Sequence, residues 1–164
     1  MPRAATPAIA ALVTAGVPHE VLRYHHDPRV ESFGDEAVAE LAETEGVAAD
    51  QILKTLIIEL PTGLAVAVLP VPAKLSLKAA AAALAAPRAA MADRRAAERS
   101  TGYVLGGISP LGQRKPLPTV VDASAMAWDR VLCSAGKRGW DVSLAPEDLV
   151  RLTDAAVADI RAPG

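Results

Sequence analysis

The spacing of apolar and polar positions divides the chain into a series of short elements. Ile9, Leu12 and Val13 recur at helical intervals behind Thr6 and Pro7, a hydroxyl suited to an N-cap and a proline suited to a first turn, and Gly16 closes the segment. Pro18 opens an extended piece, Val21 to His25, whose alternation suits a strand with one polar face. Asp27-Pro28 reads as a turn. Ser32 to Glu36 then leads into a second helix, with Val38 and Leu41 inward, acidic residues in its first turn and Gly46 at its end. Asp50 is placed to cap a short turn ahead of Ile52 and Leu53.

The run Lys54-Thr55-Leu56-Ile57-Ile58-Glu59-Leu60 is rich in β-branched residues and predicts a buried strand. Pro61-Thr62-Gly63 is a hairpin signal, and Leu64 to Val71 forms the return strand. Its Ala65 and Ala67 make a shallow face with room for a close neighbour. Leu75 to Ala86 predicts a helix with Leu77, Ala81 and Leu84 on one stripe, ended by Pro87. Asp93 to Arg99 reads as a short charged helix, followed by a turn at Ser100-Thr101-Gly102. Thr119 to Asp122 and Arg130 to Cys133 read as short strands, Ser134 to Gly139 as a turn with two cations, and Trp140 to Leu144 as another strand. Pro146 starts a last helix that runs through Leu152. No internal repeat, linker or domain boundary interrupts this order, so the pattern predicts one α/β or α+β domain with a mixed sheet.

Composition narrows the picture. A chain of 164 residues can bury one real core. Apolar residues make up 51% but aromatics only 3%, so alanine and valine do most of the filling. A net charge of −2 argues against a wholly basic nucleic-acid binder. It leaves room for local patches at Arg94, Arg95 and Arg99, at Arg114 and Lys115, and at Lys137 and Arg138. Cys133 is the single cysteine, which excludes an intrachain disulfide and a cysteine-based zinc site and suits a reducing compartment. Ile9 to Val13 is too short for a signal-peptide core, and no stretch reaches the roughly 18 to 20 apolar residues of a membrane span. The expected location is the cytoplasm. His19, His25 and His26 lie close together without a fourth ligand at suitable spacing, so they are read as surface or turn residues and no metal is expected.

Two features carry candidate chemistry. Gly106-Gly107-Ile108-Ser109-Pro110-Leu111-Gly112 packs three glycines, a proline and a hydroxyl into seven residues. Such a loop is either a tight connection or a rigid cradle of amides for an anion or an oxyanion. It matches neither a Walker-type phosphate loop nor a nucleophile elbow, because Gln113-Arg114-Lys115 and the spacing of Ser109 to Gly112 depart from both. Lys54 opens an otherwise apolar strand, where it is either desolvated or snorkels to solvent. Tyr24 and Phe33 suit core packing. Asp122 and Asp141 can orient a lysine or simply end a strand, and Cys133 reads as a small buried hydrophobe. The residues thus supply an anion loop and an unusual lysine, and no convincing protein nucleophile.

Several segments, in order, resemble the YbaK family of Cys-tRNA(Pro) deacylases, relatives of the editing insertion domain of prolyl-tRNA synthetases. They are Tyr24-His25-His26-Asp27, Phe33-Gly34-Asp35-Glu36, Lys54-Thr55-Leu56, Met91-Ala92-Asp93, Arg99 to Tyr103, Gly106 to Gln113, Leu117-Pro118-Thr119, Ser134 to Gly139, and Asp141. The set spans Thr6 to Ile160; a slight lengthening at Glu43 to Gly46 and the alanine-rich composition depart from the family. The resemblance implies a single α/β domain over residues 1–164, with a mixed, barrel-like sheet surrounded by helices and no cofactor. It implies a hydrolase that removes cysteine from proline tRNA and from other Cys-tRNAs, in partnership with prolyl-tRNA synthetase. Carried over residue by residue, it places Lys54, Gly106, Gly107 and Ser109 in catalysis. Tyr24, Phe33, Thr55, Ile108, Pro110, Gly112, Ser134 and Asp141 then fall in the substrate pocket. In the family's mechanism the substrate thiol attacks its own ester and leaves as a thiolactone. The alternatives are the same reaction on another ester such as Ala-tRNA(Pro), a non-catalytic module that binds tRNA or a synthetase, and an unrelated anion-binding domain.

Overall fold

The hairpin predicted at Pro61-Thr62-Gly63 forms the middle of the larger of two sheets in the computed structural model, which describes residues 5–25 and 33–163. The Asp27-Pro28 turn, His26, Ser32 and the side chain of Phe33 fall outside the described residues. Strand β1 (Glu20–Arg23) pairs with β7 (Trp140–Leu144), which pairs with β6 (Val131–Lys137), all antiparallel. The larger sheet has the order β4 (Ala90–Met91), β2 (Leu53–Leu60), β3 (Gly63–Pro70), β5 (Thr119–Asp122), β8 (Ala156–Ala158). Its β2–β3 and β2–β4 pairs are antiparallel, and its β3–β5 and β5–β8 pairs are parallel. A parallel bridge between Ile52 and Leu132 joins the two sheets at the start of β2. This is the expected mixed α/β architecture, with the barrel-like wrap made from two sheets.

Five α-helices are present among the described residues: α1 (Pro7–Ala15), α2 (Phe33–Glu45), α3 (Leu77–Ala83), α4 (Arg94–Thr101) and α5 (Pro146–Thr153). Their boundaries follow local chemistry. Thr6 caps α1 by accepting from the Ile9 amide at 3.1 Å, and its hydroxyl also donates to the Ala135 carbonyl at 2.5 Å, fastening the helix to β6. Asp93 caps α4 through the Ala96 amide, and Gly16 and Gly102 end α1 and α4 in the left-handed conformation. Four expectations are corrected. Helix α3 stops at Ala83, well before Pro87, because Ala85 turns left-handed at φ 58. Ser100 and Thr101 belong to α4, and Asp50 lies inside a 3₁₀ turn whose cap position is Ala48. Strand β6 runs on to Lys137 through an irregularity between Ser134 and Lys137, because pairing with β7 holds Ser134 to Lys137 extended.

The two faces of the hairpin divide the core. Leu53, Ile57, Val66 and Val68 pack with Val131, Cys133, Val142 and Leu144 of the smaller sheet and with Leu12 of α1. Ile58, Ala65, Ala67 and Leu69 face Ala80 of α3, which fills the shallow side that the two alanines leave. A third cluster, Leu22, Ala37, Leu41, Ile52 and Leu132, seats α2 over the smaller sheet. The long connection from α4 to β5 is anchored inside this frame. Tyr103 donates its hydroxyl to the Leu111 carbonyl at 2.6 Å, and Gly112, at φ 63, lies so close to α1 that a Cβ there would stand 2.4 Å from the Pro7 carbonyl oxygen. Gly112→Ala therefore combines left-handed strain with a backbone clash. It is expected to destabilise the protein by more than about 2 kcal/mol, read as a lowered urea midpoint with unchanged slope.

Candidate active site

Lys54 stands opposite Leu69 in the antiparallel register, so its side chain reaches just beyond the end of β3. There its ammonium donates to the Val71 carbonyl at 3.1 Å and to the Ala73 carbonyl at 2.5 Å. An ammonium has three donors, so two backbone oxygens fix its position and one donor is left for something else. Burial lowers the Lys54 pKa from its ordinary value, and the nearby Asp35 carboxylate acts in the opposite sense. The side chain is half-buried, so it neither points away into solvent nor lies fully in the core.

Lys54 and Gly106 line the same cavity, of about 330 Å³. Tyr24, Asp35, Thr55, Ile108, Ser134 and Asp141 add the polar and shape-defining parts of its wall, with Leu53, Val71 and Leu105 among the apolar ones. That volume lies at the lower end for small-molecule sites. The cavity crosses the beginning of β2, which is why consecutive residues from Ile52 to Leu56 all reach it although they alternate between faces. The Thr55 hydroxyl is buried without a hydrogen-bond partner among the described residues. An unpaired buried hydroxyl is costly, and one at a cavity wall is available to a bound polar group.

Asp141 lies on β7 directly across from Ser134 on β6 and is 4% exposed. Burial pushes its carboxyl up to about 7. Burial first, and the Asp141 carboxylate second, push the Tyr24 phenol up, so Tyr24 remains a hydrogen-bond donor at neutral pH. The Ser134 hydroxyl accepts from the Gly136 amide at 3.1 Å. Cys133, fully buried on the far face of the same strand, has its thiol pushed up by desolvation and does not line the cavity.

The glycine-rich segment divides its labour. Gly106 and Ile108 reach the cavity; Gly107, Ser109, Pro110 and Gly112 do not line it. The Gly107 amide donates to the Val104 carbonyl at 2.9 Å, and a Cβ on Gly107 would stand 3.0 Å from the Arg138 nitrogen. Ser109 is wholly buried; its hydroxyl accepts from the Leu111 amide and its carbonyl accepts from the Gln113 amide side chain. Pro110 is buried beside it, and Gly112 is the contact with α1. A loop this buried must satisfy its own polar groups, so only part of it can face a ligand. Phe33 is outside the described side chains. Of the basic groups, Arg99 and Lys115 line a shallow groove with Ser100, and Lys137 and Arg138 sit at the β6–β7 turn.

Sequence reasoning missed Asp35 and Gly34. Asp35 was assigned only to the first turn of α2, yet it lines the cavity and acts on Lys54. A Cβ on Gly34 would stand 2.9 Å from Val71 Cγ1, so this glycine admits α2 to the cavity edge. Their signal is the Phe33-Gly34-Asp35-Glu36 segment, which sets a glycine and a carboxylate at the start of α2.

A sequence profile of the aminoacyl-tRNA editing domain matches residues 35–152, from the Asp35 wall of the cavity to beyond Asp141. The chain belongs to the aminoacyl-tRNA editing domain family. This editing domain is 38% identical over 121 residues, covering 73% of its own length and 74% of the relative's, to EbsC of Enterococcus faecalis, provisionally named a Cys-tRNA(Pro)/Cys-tRNA(Cys) deacylase. Its fold matches a crystal structure provisionally described as a trans-editing enzyme for prolyl-tRNA synthetase, with a TM-score of 0.82, 25% identity and 96% of each chain covered. It also matches the hypothetical protein APE2540, with a TM-score of 0.80, 25% identity and 95% and 99% coverage. Among the described residues no group of three His, Cys, Asp or Glu side chains converges as a metal site, and no helix is long and apolar enough to cross a membrane.

The raised Asp141 pKa makes a stability prediction for this editing domain. Unfolded, the carboxyl titrates near 4; folded, it holds its proton up to about 7. Its contribution is therefore fully present below pH 4 and is lost as pH rises through 7, by up to about 4 kcal/mol. Urea unfolding at pH 5 and pH 8 is expected to show the larger part of this loss, about 3 kcal/mol, and Asp141→Asn is expected to remove that part of the difference.

Proposed function

We propose that this editing domain hydrolyses the ester of cysteinyl-tRNA(Pro), with the substrate's own thiol as the nucleophile. The observation that carries the reading is the meeting of the Lys54 ammonium and the Gly106 loop in one small cavity with no cysteine or histidine in its wall among the described residues. The size suits an aminoacyl group and a terminal adenosine. The names of the relatives, one for a Cys-tRNA deacylase and one for a trans-editing enzyme, support the same substrate class. We assign the work to the cytoplasm and the product of prolyl-tRNA synthetase as the source of the substrate.

In this mechanism the spare donor of Lys54 holds the 3′ end of the tRNA beside the reacting ester. Tyr24 and Thr55 supply a donor and an unsatisfied hydroxyl for the ribose or the amino acid. The loop narrows the oxyanion assignment. The amides of Leu105, Gly107 and Leu111 are spent on the Glu98 carboxylate, the Val104 carbonyl and the Ser109 hydroxyl, and Gly106 and Ile108, the loop residues in the cavity wall, supply their amides to the developing oxyanion. One such donor contributes about 3 kcal/mol. Asp141, titrating near neutrality, takes the thiol proton as sulfur bonds to the carbonyl carbon. The bond from carbonyl carbon to ribose oxygen then breaks, the proton returns to that oxygen, and a cysteine thiolactone departs to be hydrolysed in water. Holding thiol and ester together supplies several kcal/mol of the barrier reduction. Selectivity follows, because alanyl, seryl and prolyl esters have no thiol to close the ring.

Lys54→Ala is expected to lower deacylation of Cys-tRNA(Pro) by at least about 100-fold with an unchanged circular dichroism spectrum. Cys133→Ala is expected to retain full activity. Tested beside Ala-, Ser- and Pro-tRNA(Pro), the cysteinyl ester is expected to be the one hydrolysed; turnover of the alanyl ester alone would assign the site to alanine editing.

A further inference from the structure

The turn between β6 and β7 carries a second charged arrangement. Arg23 on β1 and Lys137 on β6 are both register partners of Trp140 on β7, so the three side chains share one face of the smaller sheet. The Arg23 guanidinium carbon lies 4.3 Å from the centre of the Trp140 ring and the Lys137 ammonium 4.8 Å from it. Such cation–π contacts fix long, otherwise mobile side chains in place. Trp140 is itself half-buried against the main core. Both cations are exposed, and neither pairs with a carboxylate among the described residues. The ring thus holds two positive charges within about 9 Å of each other, where they repel and where a bound anion relieves the repulsion.

The chain neighbours of this pair reach the cavity. The Tyr24 amide donates to the Gly139 carbonyl at 2.8 Å, and Arg138 Nε donates to the Leu105 carbonyl at 2.7 Å; Tyr24 and Leu105 both line the cavity. Residues adjacent along a strand point to opposite faces, so Trp140 packs on the main-core side of this sheet edge and Asp141 on the cavity side. We infer that Arg23 and Lys137, held by Trp140, bind the phosphodiester backbone of the single-stranded RNA 3′ end as it crosses this edge. The inference rests on the reading of the cavity as the seat of a tRNA 3′ end. It also answers how a chain of net charge −2 can hold a polyanion: the charge is local and immobilised.

The test is binding of an uncharged, fluorescein-labelled acceptor-stem RNA hairpin ending in CCA, measured by anisotropy from 50 to 300 mM KCl. Each single-strand phosphate contact contributes a salt exponent of about 0.7. Arg23→Gln and Lys137→Gln are each expected to flatten the slope of log Kd against log salt by about 0.7. Each then weakens binding roughly fivefold at 0.1 M, and the double variant roughly 25-fold. Lys78→Gln, which removes the same charge from α3, is expected to leave slope and affinity unchanged. Unchanged slopes in the Arg23 and Lys137 variants, or a failure of the wild-type protein to bind the RNA, would overturn the phosphate contact. Cys-tRNA(Pro) turnover, measured in parallel, separates the two ideas. Flattened slopes without wild-type turnover keep the phosphate contact and overturn the deacylase reading; turnover with unaltered slopes does the reverse.

Discussion

An ammonium group brought partway out of water has to be met by oxygen atoms, and the structure around Lys54 is built to meet it. The backbone leaves β3 at Pro70 and turns so that the carbonyls of Val71 and Ala73, no longer needed by the sheet, converge on Nζ. Asp35, brought in on α2, adds the nearby negative charge. Without these partners the lysine would lose its charge or swing to solvent. With them it becomes a fixed cation with one free donor at a cavity wall. Gly34, the end of β3 and the bridge from Ile52 to Leu132 all serve to bring these elements to that point.

The glycine loop is the other half of the constraint, and it works by being mostly occupied. Tyr103 and Leu111 tie its ends together, Gly107 lies on the β6–β7 turn, and Gly112 lies on α1. What remains for a ligand is the short stretch around Gly106 and Ile108. A loop so committed to the core has little freedom left to lose on binding, which is the physical basis for preorganised stabilisation of charge. If the substrate brings the thiol, as proposed above, the protein needs only to fix two ends of one molecule and to exclude alternatives.

The same turn connects the two charged features. Gly139 and Arg138 hold rim residues of the cavity, while the neighbouring Trp140 holds Arg23 and Lys137 on the face of β7 opposite Asp141. Strand alternation lets a single sheet edge serve both a partly desolvated cavity that holds Lys54 and Asp35 and a solvated pair of cations. These environments have opposite requirements, and one residue of separation along β7 keeps them apart.

Local signals in the sequence determined the elements whose causes are local. Thr6-Pro7 and Gly16 bound α1, Asp93 and Gly102 bound α4, and the β-branched run with Pro61-Thr62-Gly63 made the central hairpin, because caps, left-handed glycines and period-two alternation act within a few residues. The ordered segments also made the family legible, and they brought Lys54 and the glycine loop forward as candidates. Tertiary structure alone decided which residues of those segments meet. Ser109, Pro110 and Gly112 lie in the same motif as Gly106, but Ser109 is bonded within the loop to Leu111 and Gln113 and Gly112 lies against α1, a contact set by a distant part of the chain. The extension of β6 to Lys137 depended on β7 as a partner, and the weakened acidity of Asp141 depended on its burial at the cavity wall. Hydrogen-bond partners, desolvation and contact across the fold are properties of neighbours in space, and a linear pattern does not specify them.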